Sequence, residues 1–248
     1  MFKRVMIKIS GETLAGGGAG AFDRETPRRV AREIFGVMES GAEVAVVVGG
    51  GNLWRGRDAS PSMDKIKADQ IGMMATVMNG IFLADTFRSE TGGRSVVMTP
   101  FDINNFTSRF SVEEAVKLLR EKVLPVFAGG TGHPFFSTDS AVAIRACELQ
   151  ADAVLFGKSV DGVYDDDPKI NPGARRYRSV SYKTVLSKNL EVADISAMAL
   201  LAKENIPSFV FGLKSIGGIA AACAAVKGEA PFDGAVIGAD VPDEFYAD

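Results

Sequence analysis

A continuous apolar run that ends in three glycines occupies Glu43–Gly51, which reads EVAVVVGGG. A strand that is buried on both faces of a parallel sheet requires such an unbroken run, because helices cover both of its sides. Two more strand-like runs end in small residues, at Lys8–Gly11 (KISG) and at Gly129–Gly132 (GGTG). Helical patterns of ten or more residues lie between the strands, which indicates βαβ units. The sequence therefore predicts an α/β fold with a mostly parallel central sheet.

The alternation of strand and helix patterns continues along the chain. Apolar runs predict strands at 5–9, 43–48, 95–98, 123–128, 153–156, 208–211 and 235–237. Helical spacing and capping signals predict a helix that begins at Asp23 or Thr26 and stops at Ser40-Gly41, and further helices near 63–88, 111–122, 139–149, 181–188, 191–204 and 216–226. Since no repeat or linker interrupts the pattern, we expect residues 1–248 to form one domain.

The composition excludes several function classes. His133 is the single histidine among 248 residues, so a two-histidine metal motif is impossible and any histidine-based triad would have to use it. The net charge is −3 and there is no Lys/Arg block, which argues against nucleic-acid binding. We expect the densest basic cluster, Arg175, Arg176 and Arg178, to lie in a solvated loop.

Two further features bear on the compartment. The longest apolar run, Ile71 to Ala84, spans only about 14 residues and is too short to cross a bilayer. The two cysteines, Cys147 and Cys223, lie in apolar helical stretches, so we expect both to be reduced core residues in a reducing cytosol.

The glycine turns predict an anion site. In parallel sheets, ligands bind outside the carboxyl ends of the strands, and glycine lets backbone N–H groups approach a phosphate closely. Lys8 and Arg55 lie near these turns, although a lysine at this place can also point to solvent. Neither familiar phosphate fingerprint is present: there is no G-x-x-x-x-G-K-[ST], and Trp54 breaks the G-x-G-x-x-G register.

Two other features have two interpretations each, and a third has one. Asp139 can act in chemistry or can simply cap the helix that it begins. The acidic turn Asp161–Pro168 is either a solvated loop or a nucleoside-binding wall, with Tyr164 against the base and a carboxylate on the ribose hydroxyls. The methionines Met73, Met74 and Met78 are expected to pack in the core, given their helical spacing.

Five motifs occur in order along nearly the whole chain, at 8–12, 49–56, 72–79, 131–139 and 160–164. Together they resemble the bacterial UMP kinases of the amino acid kinase superfamily. The segment GMMATVMN at 72–79 and the segment TGHPFFSTD at 131–139 also separate this branch from acetylglutamate, carbamate and aspartate kinases.

The resemblance implies an α/β/α sandwich and the ATP-dependent conversion of UMP to UDP in pyrimidine nucleotide synthesis. It also implies Mg²⁺ carried with the ATP phosphates, with no metal ligand assigned to the protein. The family further implies a cytoplasmic homohexamer, inhibition by UTP and activation by GTP, and no nucleic-acid or membrane partner is expected.

The resemblance also implies site residues. The catalytic set is Lys8, Asp139 and Arg55, with Asp139 orienting the lysine. Residues expected to bind ATP are Lys8, Ile9, Ser10, Gly11, Gly51, Arg55, Lys158, Tyr164 and Asp167. Residues expected to bind UMP are Gly50, Asp69, Thr131, Gly132, His133, Pro134, Phe135, Phe136, Ser137 and Thr138. Lys158 stands where many members have Thr, and His133 stands at a variable position that the chemistry does not require.

Rival functions remain open on the sequence. One is another kinase of the superfamily, such as a carboxylate or carbamate kinase. A second is a non-catalytic nucleotide-binding or storage protein on the same fold. A third, a dinucleotide dehydrogenase, fails on the missing glycine register.

Overall fold

A computed structural model of the protein describes residues 3–15, 22–56, 60–168, 170–213, 216–229 and 231–247. The strands are β1 Arg4–Ile9, β2 Glu43–Val48, β3 Ser95–Thr99, β4 Ser108–Arg109, β5 Leu124–Phe127, β6 Ala153–Lys158, β7 Val163–Tyr164, β8 Arg176–Ser181, β9 Ser208–Gly212, β10 Ala235–Gly238 and β11 Glu244–Phe245. The helices are α1 Gly11–Leu14, α2 Glu25–Glu39, α3 Lys65–Thr91, α4 Val112–Arg120, α5 Thr138–Glu148, α6 Tyr182–Ser187, α7 Ile195–Lys203 and α8 Gly218–Val226.

The strands form one sheet in the order β11-β8-β10-β9-β6-β1-β2-β5-β3-β4, and β7 pairs with β8. The centre, from β9 through β6, β1, β2 and β5 to β3, is entirely parallel. Antiparallel pairs join β10 to β9 and both β7 and β11 to β8. The prediction of an α/β fold with a mostly parallel sheet is confirmed.

Helices cover both faces of this sheet, which gives an α/β/α sandwich. Alternate residues of β1 show the division, since Met6 lies in one apolar core while Ile7 lies in the other. Residues of α4, α5, α6 and α7 pack in the first core. Residues of α2, α3 and α8 pack in the second. A strand with apolar side chains on both faces needs this arrangement, as the run in β2 indicated.

The expectation of a solvated loop around the basic cluster was wrong. Arg176 and Arg178 lie in β8, where Tyr177 and Val180 are buried. The sequence pattern did not indicate this strand, because its buried residues, Tyr177 and Val180, are three positions apart and do not alternate with polar residues. The short strands β4, β7 and β11 and the one-turn helix α1 were not predicted either.

The expectation that three methionines of α3 pack in the core was also wrong. Met74 and Met78 are 46% and 53% exposed, and Met73 is only half-buried. The face of α3 that packs on the sheet is built largely from small residues, such as Ala75 and Gly80. Helical spacing could not choose the buried face, since apolar residues lie on both sides of this helix.

Among the described residues, no helix is long and apolar enough to cross a membrane.

Candidate active site

The glycine turns after β1 and β2 touch each other at one edge of the sheet. A Cβ atom on Gly11 would lie 2.5 Å from Asn52 Oδ1 and 2.7 Å from the backbone nitrogen of Gly51, so no larger residue fits there. The Gly49 N–H donates to the Ile9 carbonyl at 2.8 Å. The two turns therefore meet at the carboxyl ends of adjacent parallel strands, where a ligand is expected.

Lys8 and Asp139 form an ion pair at this edge. Lys8 Nζ lies 2.7 Å from Asp139 Oδ1, and the two side chains are only 10% and 15% exposed. The solvent interpretation of Lys8 is thus wrong. The capping interpretation of Asp139 is wrong as well, because Ser137 is the N-cap of α5 and its Oγ accepts the N–H groups of Asp139 and Ser140.

Lys158 joins the same cluster from the end of β6. Parallel pairing places Lys8 beside Phe156 and Ile9 beside Gly157, so Lys158 extends one residue further along the same edge. Burial lowers the pKa of the Lys158 ammonium and Asp139 partly opposes this, while Lys8 adds repulsion, so the pKa lies below its ordinary value. Lys158 stands where many members of the resembled family have Thr, yet the fold brings it close to Asp139.

The cluster carries two ammonium groups against one buried carboxylate. Burial alone would raise the pKa of Asp139, but the charges of Lys8 and Lys158 outweigh it and hold the pKa below its ordinary value. The N–H of Asp194 also donates to Asp139 Oδ2 at 3.4 Å. Asp139 is therefore ionised at neutral pH, and the positive charge left over is suited to an anion such as a phosphate.

Arg55 lies beside the glycine turn, apart from this cluster. Its Nε donates to the Gly51 carbonyl at 3.1 Å, and its guanidinium pairs with the Glu12 carboxylate. Glu12, in α1, also lies within 3.5 Å of the position that a Cβ atom on Gly51 would take. The Arg55 guanidinium lies next to the glycine turn, but in this structure it is paired with the Glu12 carboxylate.

The loop expected to bind UMP folds against α3. The Phe135 N–H donates to Asp69 Oδ2 at 2.8 Å, which brings two of the predicted UMP residues together. Phe135 has a φ of +71°, a left-handed conformation that costs a non-glycine residue about 1–2 kcal/mol. Phe135 and Phe136 are 65% and 53% exposed, and His133 is exposed. Local strain and exposed aromatic rings are typical of a ligand-binding loop.

The acidic turn forms one wall of a cavity of about 520 Å³. Tyr164 lines it and donates its hydroxyl hydrogen to Asp161 Oδ1 at 2.8 Å. Glu191 also lines it, and so does Val160, which follows Lys158 by two residues, so the cavity begins beside the end of β6 that carries Lys158. The remaining lining comes from Val160, Gly162, Val163, Asp165, Asp166, Asp167, Pro168, Ile170, Lys188, Asn189 and Leu190.

Three site residues were missed by sequence reasoning. Asn79 is fully buried in α3 and donates to the Gly49 carbonyl at 2.6 Å and to Asn52 Oδ1 at 2.7 Å. Thr76 Oγ1, one turn earlier, accepts the Gly129 N–H at 2.6 Å. Glu12 holds Arg55. Polar residues in the apolar pattern of α3 were the available signal for the first two.

Ile9, which is expected to bind ATP, can contact a ligand only through its backbone. The Ile9 side chain is completely buried, and its carbonyl accepts the Gly49 N–H. The other predicted residues lie at or near the carboxyl ends of β1, β2, β5 and β6, which are adjacent in the sheet, or along the acidic turn and α3.

Comparison with protein families gives one match over most of the chain. The model of the amino acid kinase family matches residues 3–212. The chain is 42% identical over 221 residues to a uridylate kinase of Haemophilus influenzae, which covers 88% of this chain and 92% of that protein. It is 44% identical over 230 residues to the chloroplast uridylate kinase PUMPKIN of Arabidopsis thaliana, which covers 92% of this chain and 67% of that protein.

Solved structures give the same family. The UMP kinase of Bacillus anthracis superposes with a TM-score of 0.92 at 34% identity, over 99% of both chains. The UMP kinase of Ureaplasma parvum gives a TM-score of 0.86 at 33% identity, over 96% of this chain and 99% of that one.

Proposed function

The chain belongs to the amino acid kinase family, and from this premise we propose that it transfers the γ-phosphoryl group of ATP to UMP, yielding UDP and ADP. Its similarity to uridylate kinases extends over nearly the whole chain. UMP phosphorylation supplies pyrimidine nucleotide synthesis.

The ATP phosphates would lie at the Lys8–Asp139–Lys158 cluster. Phosphoryl transfer requires positioning of two polyanions in line and neutralisation of charge on the transferring group. Lys8 and Lys158 supply positive charge, and Asp139 fixes the Lys8 ammonium at 2.7 Å. Backbone N–H groups of Gly11 and Gly51 add donors that need no reorganisation.

UMP needs no general base on the protein. The second pKa of a phosphate monoester is about 6, so UMP is largely a dianion at pH 7 and attacks the γ-phosphorus directly. This accounts for a site without an essential histidine. The loop 131–138, with Asp69 fixed to Phe135, is suited to hold the nucleoside monophosphate, since Asp69 can also meet ribose hydroxyls.

We propose that Mg²⁺ comes with ATP. Mg²⁺ commonly uses one or two carboxylates plus substrate phosphates, and it neutralises developing charge on them. Asp139 and Glu12 are two carboxylates near the phosphate edge, and each already pairs with a cation. Within the described ranges there is no cluster of three or more metal-ligating side chains. This donor set fits a metal held mainly by the nucleotide.

The observation that carries the proposal is the buried cluster with two ammonium groups and one carboxylate. Its test is an acceptor panel that follows ADP release with UMP, CMP, acetylglutamate and carbamate in the presence of MgATP. We expect turnover with UMP far above the others. Turnover with a carboxylate or carbamate would replace the proposal by another kinase of the family, and nucleotide binding without turnover would favour a binding protein.

A variant series links the activity to the cluster. We expect Lys8→Met and Asp139→Asn each to lower kcat by about 100-fold or more, because charge stabilisation is lost in the transition state, with much smaller effects on nucleotide binding. Lys203→Met, at a side chain that is 79% exposed, is the matched control and should leave kcat unchanged. Equal losses in all three variants would contradict the assignment.

The remaining family properties are also proposals. The exposed apolar row on α3, Ile71, Met74, Met78 and Ile81, supports association of copies, which we propose to be a homohexamer. We propose inhibition by UTP, activation by GTP and a cytoplasmic location, where the two cysteines, both free of disulfides, stay reduced. Assays with and without UTP and GTP test the regulation directly.

A further inference from the structure

The C-terminal strap, defined as residues 239–247, lies outside the residues 3–212 that match the family model. It adds β11 to the sheet edge, antiparallel to β8, with Phe245 opposite Tyr177. The Tyr246 N–H donates to the Arg176 carbonyl at 3.0 Å. The Tyr246 hydroxyl hydrogen-bonds to the backbone of Phe232 and Gly234. Strand pairing and the tyrosine anchor therefore fix the strap on the protein.

Arg176 connects this strap to the acidic turn. Its guanidinium lies 4.1 Å above the centre of the Tyr246 ring, which is within the range of a cation–π contact. The same group donates to Asp161 Oδ2 at 2.8 Å and pairs with Asp233. The side chain is only 18% exposed, so partial burial strengthens these interactions.

The acidic turn is shaped to receive this arginine. A Cβ atom on Gly162 would lie 3.2 Å from Arg176 Cδ and 3.3 Å from its Cγ, so the stem of the arginine packs directly on the backbone there. Tyr164 is the strand partner of Arg176 in the β7–β8 pair. The turn therefore contacts Arg176 through its backbone as well as through Asp161.

Asp161 links Arg176 to Tyr164, a residue that lines the cavity. While Oδ2 accepts from Arg176, Oδ1 accepts the Tyr164 hydroxyl at 2.8 Å. Burial alone would raise the pKa of Asp161, but the hydrogen bonds from Tyr164 and Arg176 outweigh it and the pKa lies below its ordinary value. The carboxylate is therefore charged at neutral pH and holds both partners.

A second contact of the same kind lies next to the first. The Arg175 guanidinium lies 3.9 Å above the Phe245 ring and pairs with Asp165 at 3.3 Å. The two successive arginines thus each join an acidic residue of the turn to an aromatic residue of the strap. Arg176 is the less exposed of the two and has the direct path to Tyr164.

We propose that Arg176, held by the C-terminal strap, is a positioning residue for the adenosine side of the ATP site. It fixes Asp161 and through it Tyr164, which lines the cavity beside the phosphate cluster. The inference rests on the proposed function, because it takes this cavity as the adenosine site. Loss of Arg176 weakens ATP binding and leaves phosphoryl transfer intact, since Lys8 and Asp139 are untouched.

The test compares Arg176→Met with Arg178→Met, a control at an exposed arginine of the same strand. We expect Arg176→Met to raise KM for ATP about tenfold, with kcat and KM for UMP changed by less than about twofold. Arg176→Lys should recover part of the loss. An unchanged KM for ATP, or equal changes in all three constants, would overturn the inference.

Two further measurements separate positioning from general damage. Tripolyphosphate, as a competitive inhibitor against ATP, contacts only the phosphate cradle, so its inhibition constant should not change in Arg176→Met. Tyr246→Leu should raise KM for ATP in the same direction, and the double variant should fall short of the product of the single effects, since both act through one contact. Additive effects would contradict the strap's role.

Calorimetric titration with a non-hydrolysable ATP analogue distinguishes this inference from the proposed function. A wild-type protein that binds the analogue without phosphorylating UMP would refute the proposed function, while a tenfold weaker affinity in Arg176→Met would still support Arg176 as the positioning residue. Equal affinities of wild type and Arg176→Met would refute the inference even where UMP is phosphorylated.

Discussion

Lys158 illustrates how one residue can be unfavourable for folding and useful for binding. Its ammonium is partly buried near Lys8, and the two cations share the carboxylate of Asp139. A lysine whose pKa is lowered in the folded state disfavours folding at neutral pH. A bound phosphate would reverse this by supplying the missing negative charge.

We therefore expect Lys158→Met to stabilise the folded protein and to lower its activity. Removal of the desolvated charge should raise the unfolding free energy by about 1 kcal/mol, or Tm by about 2–4 °C for a chain of this size, while kcat/KM for ATP falls at least about tenfold. Thermal unfolding and steady-state kinetics measure the two effects.

The lowered pKa of Lys158 also predicts how the free energy of unfolding depends on pH. The folded-state pKa lies below that of the unfolded chain, so the stability penalty is full at neutral pH and is relieved as the pH rises through the lowered pKa. The stability difference between Lys158→Met and wild type should shrink with rising pH. A difference that grows with pH, or a variant that is less stable at pH 7, would contradict the charge argument.

At the scale of elements, α3 supports the glycine turns. It begins after Asp64, whose side chain accepts the Lys67 N–H at 3.0 Å, and it ends at Gly92, which has a φ of +70°. Between these ends, Thr76 and Asn79 form hydrogen bonds with the turns after β5 and β2. One helix therefore fixes two of the three turns relative to each other.

The hydroxyl of Thr76 can be tested by nearly isosteric replacement. Thr76 is buried and its Oγ1 accepts the Gly129 N–H while donating to the Met73 carbonyl at 2.6 Å. Thr76→Val leaves that N–H without its partner, so we expect the unfolding free energy to fall by about 1–3 kcal/mol and KM for UMP to rise. Urea denaturation measures the change in unfolding free energy, and steady-state kinetics measure KM for UMP.

Thr76→Ser is the matched control, because it keeps the hydroxyl and loses only a methyl group. It should cost less than half as much as Thr76→Val and should leave KM for UMP near the wild-type value. Equal losses in the two variants would mean that packing of the methyl group, and not the hydrogen bond, holds the turn.

At the scale of the whole molecule, the outer face of α3 is an apolar surface that a single chain leaves uncovered. Ile71, Met74, Met78 and Ile81 are between 39% and 53% exposed along one helix. Contiguous exposed apolar surface of this kind marks association sites in soluble proteins. A second copy of the chain is the occupant that the proposed homohexamer requires.

We expect Met78→Lys to dissociate the assembly into smaller species, because it places a charge in the middle of the buried apolar contact. Sedimentation velocity of wild type and variant measures the change. Ile216→Lys, at a residue 88% exposed on another part of the surface, is the control and should leave the sedimentation coefficient unaltered. Identical assemblies in all three proteins would exclude this face as an interface.

The long elements were predictable because their signals are local. The run in β2 and the helix expected near 111–122 both have their predicted structure, and the Ser111 hydroxyl caps that helix by accepting the Glu114 N–H at 3.2 Å. The two-residue strands β4, β7 and β11 were not predictable, since distant partners supply their hydrogen bonds. β8 was missed for a different reason, since its buried residues, Tyr177 and Val180, are three positions apart and do not alternate.

By itself, the sequence determined the alternation of buried strands and helices and the glycine turns that end three of the strands, because hydrophobic periodicity and glycine act over a few residues. The tertiary structure alone decided which charges meet. Lys8 is more than a hundred residues away from both Asp139 and Lys158 in the sequence, yet the three lie together because β1, α5 and β6 pack side by side. The joining of the C-terminal strap to the acidic turn through Arg176 was likewise decided by the fold, since desolvation and pairing depend on which elements become neighbours.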